Sequence, residues 1–148
     1  MLVALDTNIL AYALGINDAG RRTRAESLIA ALREANVVIP VQVLGELFRV
    51  LTGKAGWARD VAQASILKWQ AVYALAPSTP VTLSSALDLA VAHAFPIWDA
   101  MILAAASESG CRLLLSEDMR DGFAWRGVTI VDPLKDSPHP LLVRALGA

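Results

Sequence analysis

The sequence predicts an α/β domain built on a central parallel sheet with helices on both faces. Three observations carry that prediction. Short apolar runs of three or four residues recur along the chain and are stopped by Asp, Pro or Gly. Amphipathic or apolar helical stretches separate these runs. The spacing between runs is too long for hairpins and suits crossover connections, which are right-handed. At 148 residues and 55% apolar composition, one compact domain over 1–148 is expected, with a core over about 2–133 and a tail over 134–148.

The elements follow in order. Leu2-Val3-Ala4-Leu5 reads as a buried strand, ended by Asp6-Thr7-Asn8. Ile9 to Leu14 forms a short helix before Gly15. Arg21 to Glu34 places Ala25, Leu28, Ile29 and Leu32 on one helical face. Val37-Val38-Ile39 is the second strand, stopped by Pro40. Val41 to Thr52 is helical, with Leu44, Leu47, Phe48 and Leu51 on one stripe and Gly53 as its stop. Trp57 to Ala76 reads as a longer helix, and Val81-Thr82 as a minimal strand. Ser84 or Ser85 caps a helix running to about Ala94. Asp99 to Ser109 is an apolar helix buried on all sides, closed by Gly110. Arg112 to Leu115 and Val128 to Val131 complete the sheet.

Composition removes several classes of function. The net charge is −1, so nothing suggests a protein held to nucleic acid by bulk charge. The single Cys111 excludes an internal disulfide and a Cys-rich zinc site, reads as core, and fits a reducing, cytoplasmic setting. The N-terminus has no basic leader and reaches Asp6 too early for a signal-peptide core. No apolar run is long enough to span a bilayer. Nucleophile-elbow, Walker A and dinucleotide-binding motifs are missing. His93 and His139 lack metal-pair spacing. Lys54, Lys68 and Lys135 do not fit a receiver-type phosphoacceptor site, and Asn8 stands where a haloacid-dehalogenase-type site needs a second Asp.

What remains is acidic. In an open parallel sheet, ligands sit beyond the carboxyl ends of the strands. Asp6 directly follows the first strand, and Asp118 comes three residues after Leu113-Leu114-Leu115. Asp99 starts the apolar helix, and Glu46 lies between Leu44 and Leu47 on an apolar stripe. Each has an ordinary alternative: Asp99 as a helix cap, Asp6 as a turn residue, Glu46 as a solvated helix residue, and Asp118 as part of a surface turn with Glu117 and Asp121. Taken together, four carboxylates on one rim repel one another unless a cation joins them. Hard divalent ions such as Mg²⁺ take oxygen ligands, so the quartet predicts a metal site suited to phosphodiester hydrolysis.

Four segments resemble the signature blocks of PIN domains. They are Leu5-Asp6-Thr7-Asn8-Ile9-Leu10, Gly45-Glu46-Leu47, Trp98-Asp99-Ala100-Met101-Ile102 and Leu115-Ser116-Glu117-Asp118-Met119. Their order, followed by Gly127-Val128-Thr129-Ile130-Val131-Asp132-Pro133, is more specific than any single block, and the resemblance runs from Leu2 to about Pro133. Within that family the chain is most similar to VapC-type toxins of bacterial toxin–antitoxin pairs. The resemblance implies a three-layer α/β/α fold, dependence on Mg²⁺ or Mn²⁺, and hydrolysis of RNA. It carries Asp6, Glu46, Asp99 and Asp118 over as catalytic and metal-binding residues, with Asn8, Thr7 or Ser116 in support. It also implies a homodimer and a cognate antitoxin of the VapB type. Two details depart from the pattern. Asp132-Pro133-Leu134 stands where the family often has Asn-Pro-Phe, and Glu117 competes with Asp118 for the fourth acid. The family pattern places that acid two residues past the Ser or Thr, which favours Asp118.

In the expected mechanism Asp6 and Asp99 are the main ligands, and a metal-activated water leaves 5′-phosphate and 3′-hydroxyl ends. Arg21, Arg22 and Arg24 open a helix where positive charge opposes the dipole, so a backbone phosphate, an antitoxin carboxylate or plain solvent can be their partner. Trp57, Trp69, Trp98 and Trp125 are candidates for base stacking or for core and dimer contacts. The helix from Trp57 carries Val61, Ile66, Trp69, Val72 and Tyr73 with few charges, as a subunit or antitoxin interface would. The rival functions are a non-catalytic PIN-like module that binds RNA or protein, and a PIN nuclease of RNA processing.

Overall fold

The computed structural model describes residues 1–147. It has six strands in the order β3-β2-β1-β4-β6-β5. The strands are β1 (Val3–Leu5), β2 (Val37–Pro40), β3 (Ala74–Ala76), β4 (Leu113–Leu115), β5 (Ala124–Trp125) and β6 (Val128–Val131). The helices are α1 (Thr7–Ala13), α2 (Ala19–Ala31), α3 (Val41–Thr52), α4 (Arg59–Val72), α5 (Pro80–His93), α6 (Ile97–Glu108) and α7 (Pro140–Gly147). Helix α1 packs on α2 and α3, and α3 on α4, while α5 packs on α6 and α6 on β2, β3 and β6. The result is the three-layer α/β/α arrangement with a mostly parallel sheet.

The central strands β1 and β4 are buried at every position, which explains their uninterrupted apolar sequence. They pair in register, Val3 with Leu113 and Leu5 with Leu115. The chain winds outward from β1 through β2 to β3, then returns through α5 and α6 to place β4 on the other side of β1. The strand order therefore reverses between β1 and β4. Such a switch point opens a crevice at the carboxyl ends of the strands.

The structure corrects the expected nature or bounds of two elements and the position of one cap. The helix read over Trp57 to Ala76 stops at Val72, and its last three residues form β3 beside β2. Val81-Thr82 is not a strand. Pro80 opens α5, and Thr79 rather than Ser84 or Ser85 caps it, through a reciprocal box with Thr82. The expected parallel sheet is formed by β3, β2, β1, β4 and β6, and the short edge strand β5 joins it antiparallel to β6. The two-residue turn Arg126-Gly127 joins them with both φ angles positive, 42° and 84°, the geometry that matches strand twist in tight hairpins. The tail also folds, into α7, with Leu142 buried in the core. Among the described residues no helix is long and apolar enough to cross a membrane.

Candidate metal-dependent active site

Asp6 stands at the end of β1 and caps α1. Its backbone N–H donates to Leu115 O at 3.0 Å, which locks the ends of β1 and β4 together. Its side chain accepts from Thr7 N at 2.8 Å and from the Ser116 hydroxyl at 2.7 Å. Ser116 is fully buried, and its Oγ also accepts from the N–H groups of Asp118 and Met119, each at 3.2 Å. One hydroxyl thus fixes Asp6 and shapes the turn that carries Asp118.

The other two acids arrive from helices. Glu46 lies on α3, where Thr7 Oγ1 donates to its Oε2 at 2.7 Å and Gln42 Nε2 donates to its Oε1 at 2.9 Å. Gln42 Nε2 also donates to Trp98 O at 2.9 Å, tying α3 to the first turn of α6. Asp99 sits in that first turn, but the N-cap position belongs to Pro96, so its carboxylate is not spent on capping.

The charges of these acids act on one another in pairs, Asp99 and Glu46 on Asp6, and Glu46 and Asp118 on Asp99. Burial pushes the Asp6 carboxyl up to about 6, against the lowering effect of Ser116 and Thr7, and the charges of Asp99 and Glu46 push the same way. Asp99 is raised above the usual carboxylate range by burial first, then by the charges of Glu46 and Asp118. Among the described residues, none of the four joins an ion pair with Lys, Arg or His. An all-oxygen, anionic cluster without its own cation fits a hard divalent ion. Asn8, two residues after Asp6, adds a buried amide with neither its N nor its O hydrogen-bonded. As they stand, no three His, Cys, Asp or Glu side chains among the described residues already have the spacing of a ligand set. Thr7 and Gln42 hold both oxygens of Glu46.

Glu117 is placed differently from its neighbour. It accepts from Tyr12 Oη at 2.8 Å and from Arg21 Nε at 2.8 Å, so it faces α1 and α2. The exposed Asp118 is the residue whose charge reaches Asp99. Asp118→Asn is accordingly expected to reduce catalysis, whereas Glu117→Gln should leave the reaction rate near wild type. Parallel single-turnover measurements on the two variants check this, and a larger loss in Glu117→Gln would overturn the assignment.

Several other candidates are placed plainly. Arg21 pairs with Glu117 and Asp18, Arg22 with Glu26, and Arg24 with Asp136, so each helix-opening arginine has an acid within the chain. Asp18 caps α2 by accepting from Arg21 N. Leu134 N donates to Asp132 Oδ1, which makes Asp132-Pro133-Leu134 a side-chain-closed turn. Cys111 is buried, and burial pushes its thiol up to about 11. His93 packs edge-on against Phe123, and His139 Nδ1 accepts from Leu141 N at the start of α7. Of the tryptophans, Trp57, Trp69 and Trp125 are partly buried against the core, and Trp98 is exposed. Sequence reasoning missed Gln42 and Tyr12. Gln42 had a local signal, four residues before Glu46 on one helix face. Tyr12 had none, since its partner lies 105 positions away.

Comparison with known proteins agrees with this fold. The PIN domain family model matches residues 3–124. No curated protein gives a significant sequence match. Among solved structures, VapC20 of Mycobacterium tuberculosis, described as a sarcin–ricin-loop-cleaving toxin, superposes with a TM-score of 0.64 at 24% identity, over 78% of this chain and 91% of that one. A toxin–antitoxin complex from Klebsiella pneumoniae gives 0.67 at 16% identity, over 90% and 98%. FitAcB from Neisseria gonorrhoeae gives 0.61 at 18% identity, over 89% and 98%. At these identities the likeness is one of fold.

Proposed function

The chain belongs to the PIN domain family, and from that premise we propose that it is a divalent-metal-dependent endoribonuclease, the toxin of a toxin–antitoxin pair. The observation that carries the proposal is the hydrogen-bonded frame at the β1/β4 switch point, where Thr7 bonds both Asp6 and Glu46, Gln42 ties Glu46 to the backbone beside Asp99, and Ser116 bonds both Asp6 and the Asp118 N–H. The toxin role is supported by fold likeness to VapC20 and to the toxin–antitoxin complex from Klebsiella pneumoniae. The Klebsiella complex supports an antitoxin partner, and from the resemblance of the signature segments we take that partner to be of the VapB type and the chain to pair with a second copy of itself. A mainly apolar groove of about 510 Å³ along α4, edged by Leu14, Trp57, Val61, Trp69 and Val72, offers the antitoxin a seat.

Asp6 and Asp99 would hold the ion, with Asp118 and Glu46 completing the site directly or through water. Bound Mg²⁺ or Mn²⁺ supplies a water of lowered pKa and neutralises charge on the phosphoryl oxygens. The protein's part is orientation. Ser116 and Thr7 N fix both oxygens of Asp6, and Thr7 Oγ1 with Gln42 fix Glu46. Hydrolysis of the P–O3′ bond by water would leave a 5′-phosphate and a 3′-hydroxyl.

Purified protein is expected to cut single-stranded RNA with Mg²⁺ or Mn²⁺, and to stop with chelator or Asp99→Asn. Cleavage that survives both treatments, or products ending in 2′,3′-cyclic phosphate, would remove the metal-hydrolysis reading.

A further inference from the structure

Beside the acidic cluster lies a surface cleft of about 480 Å³ lined by Val41, Gln42, Gly45, Glu46, Arg49 and Trp98. Its size is that of a small-ligand site. Three features distinguish it from an ordinary groove. The Trp98 side chain is 63% exposed although it directly precedes Asp99, and its backbone is pinned by the Gln42 amide that also holds Glu46. The Arg49 side chain is exposed, one helical turn past Glu46, and takes part in no ion pair among the described residues. At Gly45 an added Cβ would meet nothing within 4 Å, so the wall there is open space.

We propose that this cleft is a nucleobase subsite, in which a base of single-stranded RNA next to the scissile phosphate stacks on Trp98 while a flanking phosphate meets Arg49. The inference deepens the nuclease reading and rests on it for the identity of the polymer. The arrangement answers a physical problem. Four carboxylates repel an incoming polyanion, and the net charge of −1 offers no bulk attraction. Stacking is indifferent to that repulsion and tolerates any base, because every base has a π face. Arg49 then provides a cation at the cleft edge, where a phosphate next to the cut would pass. A base held there is tied through Gln42 to Glu46, so binding in the cleft positions the chain for attack.

The test measures binding apart from cleavage. In the Asp6→Asn background, with short oligouridylate and oligoadenylate as probes, Trp98→Ala should weaken binding about tenfold, the scale of one lost base stack. Trp98→Phe should restore most of it. Gly45→Leu, which adds a side chain to the open wall of the cleft, should weaken binding to a similar degree. Arg49→Gln should flatten the salt dependence of log K by about 0.7, the single-strand value for one phosphate contact. In the otherwise wild-type protein, Trp98→Ala should raise KM more than it lowers kcat. Undiminished binding by both Trp98→Ala and Gly45→Leu overturns the subsite, even if the wild-type protein cleaves RNA normally. Binding that depends on Trp98 in a protein that never cleaves RNA keeps the subsite and sinks the nuclease. If Trp98→Ala halves the oligomer's mass and leaves affinity per protomer unchanged, Trp98 is a self-association contact and the proposal fails.

Discussion

Replacing Asp6 by Asn is expected to abolish RNA cleavage, by on the order of a thousandfold, and at the same time to raise the melting temperature of the metal-free protein above pH 6. The sign follows from linkage. The Asp6 carboxyl is pushed up to about 6 in the folded protein, against 3.8 for the free group, chiefly by burial. An acid whose folded pKa is raised favours folding when protonated. That contribution is complete below 3.8 and is lost as pH rises through about 6. Two units correspond to about 3 kcal/mol of stability forfeited at neutral pH. For a chain of this size, that is about 6–10 °C in melting temperature. In chelator, the wild-type melting temperature should therefore fall between pH 4 and pH 6.5, while that of Asp6→Asn should fall much less. Adding Mn²⁺ should recover stability in the wild type only, because the ion binds the folded state. Thermal scans across pH with and without Mn²⁺ check all of this. A flat wild-type profile in chelator would show that Asp6 is not held in a destabilising ionised state.

That cost also explains which parts of the site could be read in advance. Asp6 was legible because a charged residue directly after a fully apolar strand has few structural uses. Asp99 was legible because it is the single acid on the first turn of a helix whose next seven residues are all buried. Glu46 and Asp118 became meaningful only as members of a set. The choice between Glu117 and Asp118 lay outside local sequence, since it depends on Tyr12 and Arg21 drawing Glu117 away. The fold divides in the same way. Strands β1, β2 and β6 announce themselves as apolar runs ended by Asp or Pro. β3 does not, because Ala74-Leu75-Ala76 is helix-favouring locally and becomes a strand only by pairing with Val38-Ile39-Pro40. The start of α5 was misread for a related reason. Val81-Thr82 has strand character, yet Pro80 at the first turn and the Thr79–Thr82 capping box outweigh it.

Ser116→Ala is the second change expected to have a large effect, although Ser116 performs no chemistry. Its hydroxyl donates to Asp6 Oδ2 and accepts from two backbone N–H groups while fully buried. Alanine leaves those N–H groups without that acceptor and removes the donor to a buried carboxylate. Each buried group so orphaned costs about 1–3 kcal/mol. The turn from Ser116 to Met119 should loosen, and Asp118 with it. The Ser116 hydrogen bond also lowers the Asp6 pKa against the pull of burial. Its loss should therefore move the acid limb of Mn²⁺ binding to higher pH, since the site must lose a proton to bind the ion. Metal affinity should fall by about 10- to 100-fold, the usual consequence of deleting a hydrogen bond to a ligand. Ser116→Thr, which keeps the hydroxyl, should restore the pH profile even where its extra methyl lowers stability. That combination separates a positioning role from simple structural damage. If Ser116→Ala melts lower but binds Mn²⁺ with an unshifted pH profile, the hydroxyl serves the fold alone. A shifted profile that Ser116→Thr reverses places Ser116 in the electrostatics of the site.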